Sequence, residues 1–558
     1  MASAFARAAL LGLALSCVTT AEPVVQLEKS KVTYRGLAKG SIEHFQNIRF
    51  AHDTSGTRRF APPELYTPLE GSEIDATPPG SACPQSRPGM PPFFAETPDI
   101  SEDCLNLRIS RPAGTTAEDK LPVVVWLHGG GVVKGSAYDP HFEPDNLITL
   151  SASLKKPIIY VALNYRITIF GFARLPILEE QKSLNVGMRD QRAGFQWIKD
   201  NIAAFGGDPD KITAFGLSAG GTFISLHLMA YSGEQGVPFS QVWTMSGPPG
   251  TALNITSDAT ETHTRIPMVF GWTQDDGAMN AGPAPHFEDE EAMKGPVKSF
   301  AHALTDDDYE RLFSLYPTAD FEEEARNYEA RKDGSDPVAP VHYFRVSRIL
   351  RDMLFTCSSI DFGYEMSRQS TAIDPTFAGV RLYDLNQSML TPMFKGAGMP
   401  YLGVCHGSDT NYIFNGLFPE GEVKEADQKL STSIAASFIN FAYTGSPVNP
   451  DDEDFRSWPE AFREPEGLGE EAMSGPLRIN LQLIGGPLGT GPCALSGTAD
   501  NKRFEGAQQG SMQHPLMDGI EFREMESAAL QGRRQKLERE KLLERCAFIN
   551  TLAPKLGI

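Results

Sequence analysis

The chain has no long apolar run beyond its first twenty residues, and it is short of basic side chains. The absence of any later stretch of about 18 uninterrupted apolar residues leaves no candidate membrane span. Its 50 Lys and Arg face 71 Asp and Glu, so the formal net charge is −21, which repels nucleic-acid phosphates. Sequence repeats and zinc-binding spacings such as His-Glu-x-x-His are also missing. Membrane-spanning, nucleic-acid-binding, repeat and zinc-hydrolase classes are thereby disfavoured.

The composition that remains is ordinary for a globular protein, with 41% hydrophobic and 22% charged residues. Several short segments are rich in apolar and β-branched residues, as expected for strands buried on both faces of a parallel sheet. These segments are Leu121–Leu127, Pro157–Leu163, Ile212–Phe215, Gln241–Met245 and Ile266–Phe270. An amphipathic stretch, Asp190–Ala204, predicts a helix between them, and 519–552 predicts an exposed helix. We therefore expect an α/β fold with a mostly parallel central sheet flanked by helices, forming one large domain over residues 22–558.

The first 21 residues have the three parts of a secretory signal peptide: one cation at Arg7, an apolar run over 8–18, and small residues up to Ala21. The alternative, a helix that belongs to the fold, would need a polar face that this segment lacks. Cleavage would remove Cys17 and leave six cysteines, a number that suggests disulfides but allows fifteen pairings. Asn254 and Asn386 each begin an Asn-x-Ser/Thr sequence and are candidate glycosylation sites.

A Gly-x-Ser-x-Gly sequence, 216–220, lies directly after an apolar segment and before a helical one. In this context the turn from strand to helix is so tight that the residues two before and two after the serine must be small. The turn exposes the Ser218 hydroxyl at the carboxyl end of the sheet. A bare match to this pattern is weak, but the flanking strand and helix make Ser218 a strong candidate nucleophile.

A serine nucleophile also requires donors for the oxyanion that develops when it attacks a carbonyl group. The sequence His-Gly-Gly-Gly at 128–131 follows the strongest apolar segment, and glycines let the backbone approach a substrate. We expect the N–H groups of Gly130, Gly131 and Ala219 to form an oxyanion hole. The alternative is a plain flexible loop.

The best candidate for the general base is His406, which follows a short apolar lead and precedes turn residues. Asp276 is the candidate acid because it lies just beyond the segment that starts at Ile266. The chain order Ser218, Asp276, His406 is that of α/β-hydrolases.

These motifs together resemble the type-B carboxylesterase/lipase family, a cholinesterase-like group that includes many secreted fungal carboxylesterases. The resemblance spans nearly the whole mature chain and rests on 102–107, 128–131, 164–166, 190–191, 205–209, 216–220, 406–409 and 545–548. It implies an α/β-hydrolase fold with Ser218 as nucleophile, His406 as general base and then acid, and Asp276 as the residue that orients His406. Most members have Glu in place of this Asp.

The resemblance also implies how the cysteines pair. Cys83 with Cys104, and Cys357 with Cys546, match two bridges of the family. Cys405 and Cys493 are then left as a third pair, with a free Cys405 beside His406 as the alternative. Family members in addition pair Arg59 with Glu102 at the base of the first bridge's loop.

Departures from the family bear on the substrate. Only 20 residues separate Cys83 from Cys104, and five of them are Pro, so this loop is short and stiff for the lid of a true lipase. The loop has no Trp to bind a quaternary ammonium. The interval from Ser218 to Asp276 is 58 positions, much shorter than in relatives. It represents either a naturally trimmed enzyme or a segment lost in an erroneous gene model.

We therefore predict a secreted serine carboxylic-ester hydrolase (EC 3.1.1.-) that acts on small-molecule esters through an acyl-enzyme, without metal or cofactor. Two alternatives stay open. One is a cholinesterase-like binding or adhesion protein without activity, and the other is an acyltransferase that uses the same triad. The natural ester and the oligomeric state are not determined by the sequence.

Overall fold

The protein is described by a computed structural model that covers residues 22–91, 93–97, 99–233, 235–251, 265–416, 423–462, 478–496 and 528–555. The predicted signal peptide, 1–21, and the candidate glycosylation site Asn254 lie outside these ranges.

Most strands of the described residues belong to one large sheet. The strands are β1 (Val24–Gln26), β2 (Thr33–Arg35), β3 (Leu37–Lys39), β4 (Ile42–Arg49), β5 (Glu73–Asp75), β6 (Asn106–Pro112), β7 (Leu121–Leu127), β8 (Ile159–Leu163), β9 (Gly207–Leu217), β10 (Gln241–Met245), β11 (Met268–Thr273), β12 (Val380–Leu385), β13 (Arg478–Ile484) and β14 (Gly491–Ser496). The large sheet has the order β14-β13-β12-β11-β10-β9-β7-β8-β6-β4-β3, and a small sheet has the order β1-β2-β5.

The central part of the large sheet is parallel. The strands from β8 through β7, β9, β10, β11 and β12 to β13 pair in parallel, and antiparallel strands complete both edges. Every residue of β7, β8, β10 and β11 is buried. The predicted α/β class and mostly parallel sheet are thus confirmed. Uninterrupted apolar segments form these strands because helices bury both faces of a parallel sheet.

Helices cover both faces of this sheet. They are α1 (Asp145–Ser153), α2 (Thr168–Phe172), α3 (Pro176–Glu180), α4 (Val186–Asn201), α5 (Ala219–Met229), α6 (Ala278–Ala281), α7 (Lys294–Phe300), α8 (Asp306–Ser314), α9 (Glu322–Arg331), α10 (Val341–Arg351), α11 (Cys357–Ile373), α12 (Thr391–Gly396), α13 (Ser408–Ile413), α14 (Glu425–Thr444), α15 (Ala528–Glu540) and α16 (Leu542–Thr551). A π-helical turn, Asp352–Thr356, joins α10 to α11. Among these helices none is long and apolar enough to cross a membrane.

Two hydrophobic cores lie on opposite faces of the sheet because successive strand residues point in opposite directions. In β7, Val123 and Val125 enter one core, which also contains α4 and α5. Val124 and Trp126 enter the other core, which contains α1 and α14. This arrangement fixes the carboxyl ends of the parallel strands as a rigid edge.

Two disulfides are present, Cys83–Cys104 and Cys357–Cys546, as the family resemblance implies. The third predicted pair is wrong: Cys405 and Cys493 are both free and buried. Cys405 is bridged to the end of β11, whereas Cys493 lies on β14, beyond β12 and β13. Strand spacings of about 4.8 Å separate the two by roughly 10 Å or more, and a disulfide requires Cα atoms within about 7 Å. Each thiol instead donates to a nearby backbone carbonyl.

Removing the long-range bridge should cost much stability. Cys357 and Cys546 are 189 positions apart, so replacing both with Ala frees a very large loop in the unfolded chain. We expect the free energy of unfolding to fall by about 5 kcal/mol. Urea denaturation measures this change, and Cys493→Ala serves as the control because it removes a buried thiol without opening a loop. A double variant no less stable than this control would contradict the prediction.

Two further expectations fail because burial depends on tertiary structure. The Asn386 side chain is buried, donates to the Asp384 carbonyl at 3.0 Å and accepts from Lys536, so a glycan on its nitrogen would disrupt these contacts. Of the predicted exposed helix over 519–552, residues 519–527 lie outside the described ranges, and the rest forms the pair α15 and α16, which buries Glu540 and Arg545.

Candidate functional site

The predicted nucleophile lies at the sharp turn between β9 and α5. Ser218 has φ 55° and ψ −126°, a backbone conformation that few residues with a side chain adopt. The turn is closely packed: a Cβ on Gly220 would lie 2.0 Å from the carbonyl oxygen of Leu127, and one on Gly216 would lie 2.8 Å from it. Glycines two before and two after the serine are therefore required, as the motif predicts. The Ser218 side chain remains partly exposed at the edge of the sheet.

The predicted base and acid contact each other directly. Nδ1 of His406 lies 2.6 Å from Oδ1 of Asp276, and Asp276 is fully buried. The other carboxylate oxygen, Oδ2, accepts from the Ser246 hydroxyl at 2.7 Å and from the Thr273 N–H at 3.0 Å. With both oxygens bonded, the carboxylate has a fixed orientation and accepts the imidazole N–H of His406.

Ser246 is a site residue that sequence reasoning missed. It follows β10 directly, as Ser218 follows β9 and Asp276 comes just after β11. Because these three strands are parallel neighbours, their carboxyl ends meet at one edge of the sheet. A serine at the end of the intervening strand was therefore a usable signal.

His406 reaches the same edge from the loop after α12. A Cβ on Gly407, the next residue, would lie 3.3 Å from Cδ2 of Leu217, which precedes Ser218. The ring of Phe355 stacks on the His406 ring with centroids 4.7 Å apart, from the π-helical turn between α10 and α11. Sequence reasoning missed this contact, because nothing in the sequence distinguishes Phe355 from other buried apolar residues of a helix.

The glycine loop after β7 lies against the serine. A Cβ on Gly129 would come within 3.2 Å of the Ser218 Cβ. Gly130 and Gly131 have φ of 108° and 59°, which glycine adopts freely. Within the described residues neither N–H is donated to another protein group. Ala219 is the first residue of α5, so its N–H has no partner inside the helix. These three donors are the predicted oxyanion hole.

His128, at the start of that loop, holds the loop in place. Its ring stacks on Tyr165 with centroids 4.3 Å apart, and the Tyr165 hydroxyl donates to the His128 carbonyl at 2.6 Å. Burial lowers the pKa of His128 to about 4, so the ring is neutral near pH 7. The residue is thus suited to packing and not to proton transfer.

A second buried carboxyl, Asp409, lies three residues after His406 and accepts from the Tyr383 hydroxyl at 2.6 Å. Burial raises the pKa of Asp409 to about 6, and the nearby Asp276 charge adds to the shift. Ionised Asp409 is therefore costly in the folded state above that pH.

Asp409→Asn should accordingly stabilise the protein, and only at higher pH. The unfolded carboxyl ionises near pH 3.8, whereas the folded one stays neutral to about pH 6, so wild-type stability falls between these values and then levels off. At pH 8 we expect the variant to gain about 3 kcal/mol, and at pH 4 almost nothing. Urea denaturation at both pH values measures this.

A control of opposite sign is Asp308, whose pKa is lowered to about 2 by Lys555 and by the Thr305 cap. Its folded-state charge is favourable, so Asp308→Asn should lose stability at pH 8. A gain for Asp409→Asn that is equal at both pH values would contradict the electrostatic explanation.

The predicted pair at the base of the first disulfide's loop is present. Arg59 donates to both oxygens of Glu102, at 2.6 and 2.5 Å. The same loop brings Phe93 to the site, where its ring would be 3.9 Å from a Cβ on Gly407. The loop closed by the Cys83–Cys104 disulfide thus lies close to the loop that carries His406.

One group in the described part of the chain could in principle hold a metal, namely His44, Glu143 and Asp145, whose ligand atoms lie within 4.8 Å of one another. Both carboxylates already face cations: Arg108 donates to the two oxygens of Glu143, and Lys39 lies 2.7 Å from Asp145. This group is therefore a partly buried cluster in which the carboxylates form ion pairs.

Comparison with known proteins gives the family of the chain. The sequence pattern of the carboxylesterase family matches residues 21–266 and 257–470. The chain belongs to the carboxylesterase family. The two matched ranges overlap at 257–266, inside the short interval between Ser218 and Asp276, so the match to the family pattern is split there.

Several fungal members of the carboxylesterase family are similar to the chain. It is 31% identical over 520 residues to VdtD of Byssochlamys spectabilis, which is named an inactive carboxylesterase-like protein. The alignment covers 77% of this chain and 85% of VdtD. The chain is 30% identical over 526 residues to a secreted lipase of Arthroderma benhamiae, covering 80% and 88%. Over 244 residues it is 39% identical to Lipase 5 of Diutina rugosa, covering 40% and 43%.

Proposed function

We propose that the protein is a secreted serine carboxylic-ester hydrolase in which Ser218, His406 and Asp276 form the catalytic triad. The observation that carries the proposal is the 2.6 Å contact between His406 Nδ1 and Asp276, at the sheet edge where Ser218 sits in its strained turn. Membership of the carboxylesterase family supports the reaction class.

In the first half of the reaction, the Ser218 oxygen bonds to the ester carbonyl carbon while Nε2 of His406 takes the serine proton. The carbonyl oxygen becomes an oxyanion, which the N–H groups of Gly130, Gly131 and Ala219 are placed to receive. The carbon–alkoxide bond then breaks, and the imidazolium gives its proton to the leaving alcohol. An acyl-enzyme remains on Ser218.

In the second half, His406 deprotonates a water molecule, which attacks the acyl carbon. The Ser218 oxygen leaves and takes the proton back, which frees the carboxylic acid and restores the enzyme. Throughout, the buried Asp276 carboxylate faces the Nδ1–H and favours the imidazolium that forms twice per cycle.

Secretion is supported by the signal-like segment 1–21, by the two disulfides and by relatives that are named secreted lipases. The substrate class we propose is a small ester rather than a lipid aggregate, because the loop from Cys83 to Cys104 is too short for a large lid.

A fluorophosphonate probe and a panel of p-nitrophenyl esters of increasing acyl length test the proposal together. We expect one equivalent of label on Ser218, turnover of at least one ester, and loss of turnover in step with labelling. A protein that is folded by circular dichroism but neither labels nor turns over any ester would overturn it.

An inactive binding protein is the second candidate, and two observations favour it. The family match is split into two ranges that overlap at 257–266, next to the strand that leads to Asp276, and one relative is named inactive. The same labelling experiment separates the two, since a binding protein leaves the probe unreacted. An acyltransferase would label equally and would form an alkyl ester when an alcohol acceptor is added to the assay.

A further inference from the structure

The contact between Asp276 and His406 is not the only link between their two loops. Asp275, the residue before Asp276, also binds the loop that carries His406, which we call the histidine loop. Its Oδ2 accepts from the N–H of Val404 at 2.8 Å, and its own N–H donates to the Val404 carbonyl at 3.0 Å. These contacts continue as a parallel bridge between Asp275 and Cys405. The loop that carries Asp276 and the loop that carries His406 are thus joined two residues before the imidazole.

The join is closely packed. Gly403 has φ +61°, and a Cβ there would lie 2.3 Å from Oδ2 of Asp275. On the other side of the loop that carries Asp275 and Asp276, a Cβ on Gly277 would lie 2.1 Å from the Ser347 carbonyl oxygen in α10. The side chain of Asp275 therefore fits between the histidine loop and a helix that cannot approach further.

The charge of Asp275 is compensated from the same helix. Arg348 lies 3.8 Å from its Oδ1 and also pairs with Glu540 at 3.2 Å and with Glu324 at 3.4 Å. Arg348 and Glu540 are both buried, which makes these ion pairs less screened than surface pairs. The Asp275 carboxylate is thereby held with Oδ2 directed to Val404.

We propose that Asp275 is a positioning residue, which fixes the backbone at Val404 so that the His406 imidazole faces both Asp276 and Ser218. The inference rests on the proposed function, since it assigns a role within that triad. Asp275 touches neither the imidazole nor the serine in the contacts described, so it acts through the loop. A displacement of about 1 Å of a catalytic group is enough to slow a reaction about 100-fold.

Two substitutions separate the hydrogen bond from the charge. Asp275→Ala removes the acceptor for the Val404 N–H, and we expect kcat to fall about 30- to 100-fold with KM unchanged within about 2-fold. Asp275→Asn keeps an oxygen at the same place and should retain at least about a third of wild-type kcat. Glu324→Gln is the matched control, because it removes another carboxylate partner of Arg348 without contact to either catalytic loop.

Two measurements distinguish positioning from loss of folded protein. Fluorophosphonate labelling of Asp275→Ala should reach full amplitude with a reduced rate constant, whereas a partly unfolded protein gives a reduced amplitude at the wild-type rate. Proton NMR should show the imidazole N–H of His406 far downfield in the wild type and in Glu324→Gln, and broadened or absent in Asp275→Ala.

A wild-type rate constant or an unchanged downfield signal in Asp275→Ala would overturn the inference, and so would an Asn variant as slow as the Ala variant. Failure of the wild type to label would overturn the proposed function instead. In that case the NMR signal still decides whether Asp275 fixes the imidazole, because it requires no turnover.

Discussion

Ester hydrolysis should fall by about 10⁶-fold when Ser218 is replaced by Ala, which is the size of effect that removal of a triad nucleophile produces. The hydroxyl is the atom to which the acyl group would bond, and the described site offers no second exposed hydroxyl at this turn. The fold should be unaffected, because Ala has the same Cβ as Ser and meets the same backbone strain at φ 55°. Initial rates with the best p-nitrophenyl ester measure the effect.

Ser225→Ala is a matched control for this experiment. Ser225 lies about two turns along α5 from Ser218. It is fully buried and donates to the Gly247 carbonyl at 3.1 Å. Its loss removes one hydrogen bond and should change activity by less than about 3-fold. If Ser218→Ala kept more than a hundredth of wild-type turnover, a nucleophile other than Ser218 would have to act.

Asp276→Asn should reduce kcat by about 10⁴-fold, and the surroundings of the carboxylate explain why. Ser246 and Thr273 both donate to Oδ2, so the amide of an Asn would place its oxygen toward them. The NH₂ group would then face Nδ1 of His406 and donate to it. The imidazole would have to carry its proton on Nε2, the atom that must accept the proton of Ser218.

Measuring kcat and KM for three variants tests this tautomer argument. Asp276→Ala removes the orienting group without imposing the wrong tautomer, so it should be no slower than Asp276→Asn. Ser246→Ala removes one donor to Oδ2 and should cost much less, about 10-fold, because Oδ1 still accepts from His406. An Asn variant within 10-fold of wild type would show that Asp276 does not set the state of His406.

The parts of the fold that sequence analysis predicted best are those whose residues have one environment. The predicted segment Leu121–Leu127 has the same bounds as β7, and Gln241–Met245 has the same bounds as β10, because every side chain of these segments is buried. The helix expected over Asp190–Ala204 starts earlier, at Val186, and ends in a 3₁₀ turn over Ile202–Phe205. Patterns of burial thus locate elements well and their ends less well.

The site was predictable where chemistry requires a residue next to a strand end. Ser218 follows β9 directly, Asp276 comes just after β11, and the geometry places His406 against the aspartate. Sequence alone does not determine which of two adjacent aspartates reaches the histidine by contact. The structure separates them: Asp276 faces the imidazole, and Asp275 faces the backbone of Val404.

The failures share one physical cause, which is that they depend on distant segments meeting. Cys405 and Cys493 are an acceptable pair by count but are kept apart by intervening strands. Asn386 has an acceptor sequence but is covered by Lys536, which is 150 positions away. In the sequence, Glu540 and Arg545 belong to a charged segment that predicts an exposed helix. In the fold, Glu540 pairs with Arg348 and Arg351, and Arg545 pairs with Asp320.

The bridge from Cys357 to Cys546 has a consequence for how the protein behaves when its chain is cut. A single cleavage between residues 497 and 527 would leave α15 and α16 covalently attached to α11, with Glu540 still beside Arg348 and Arg351. The two pieces would run as one band on a gel without reductant and as two bands with it. A nicked preparation would thus keep its catalytic loops supported, and its loss of integrity would be visible only after reduction.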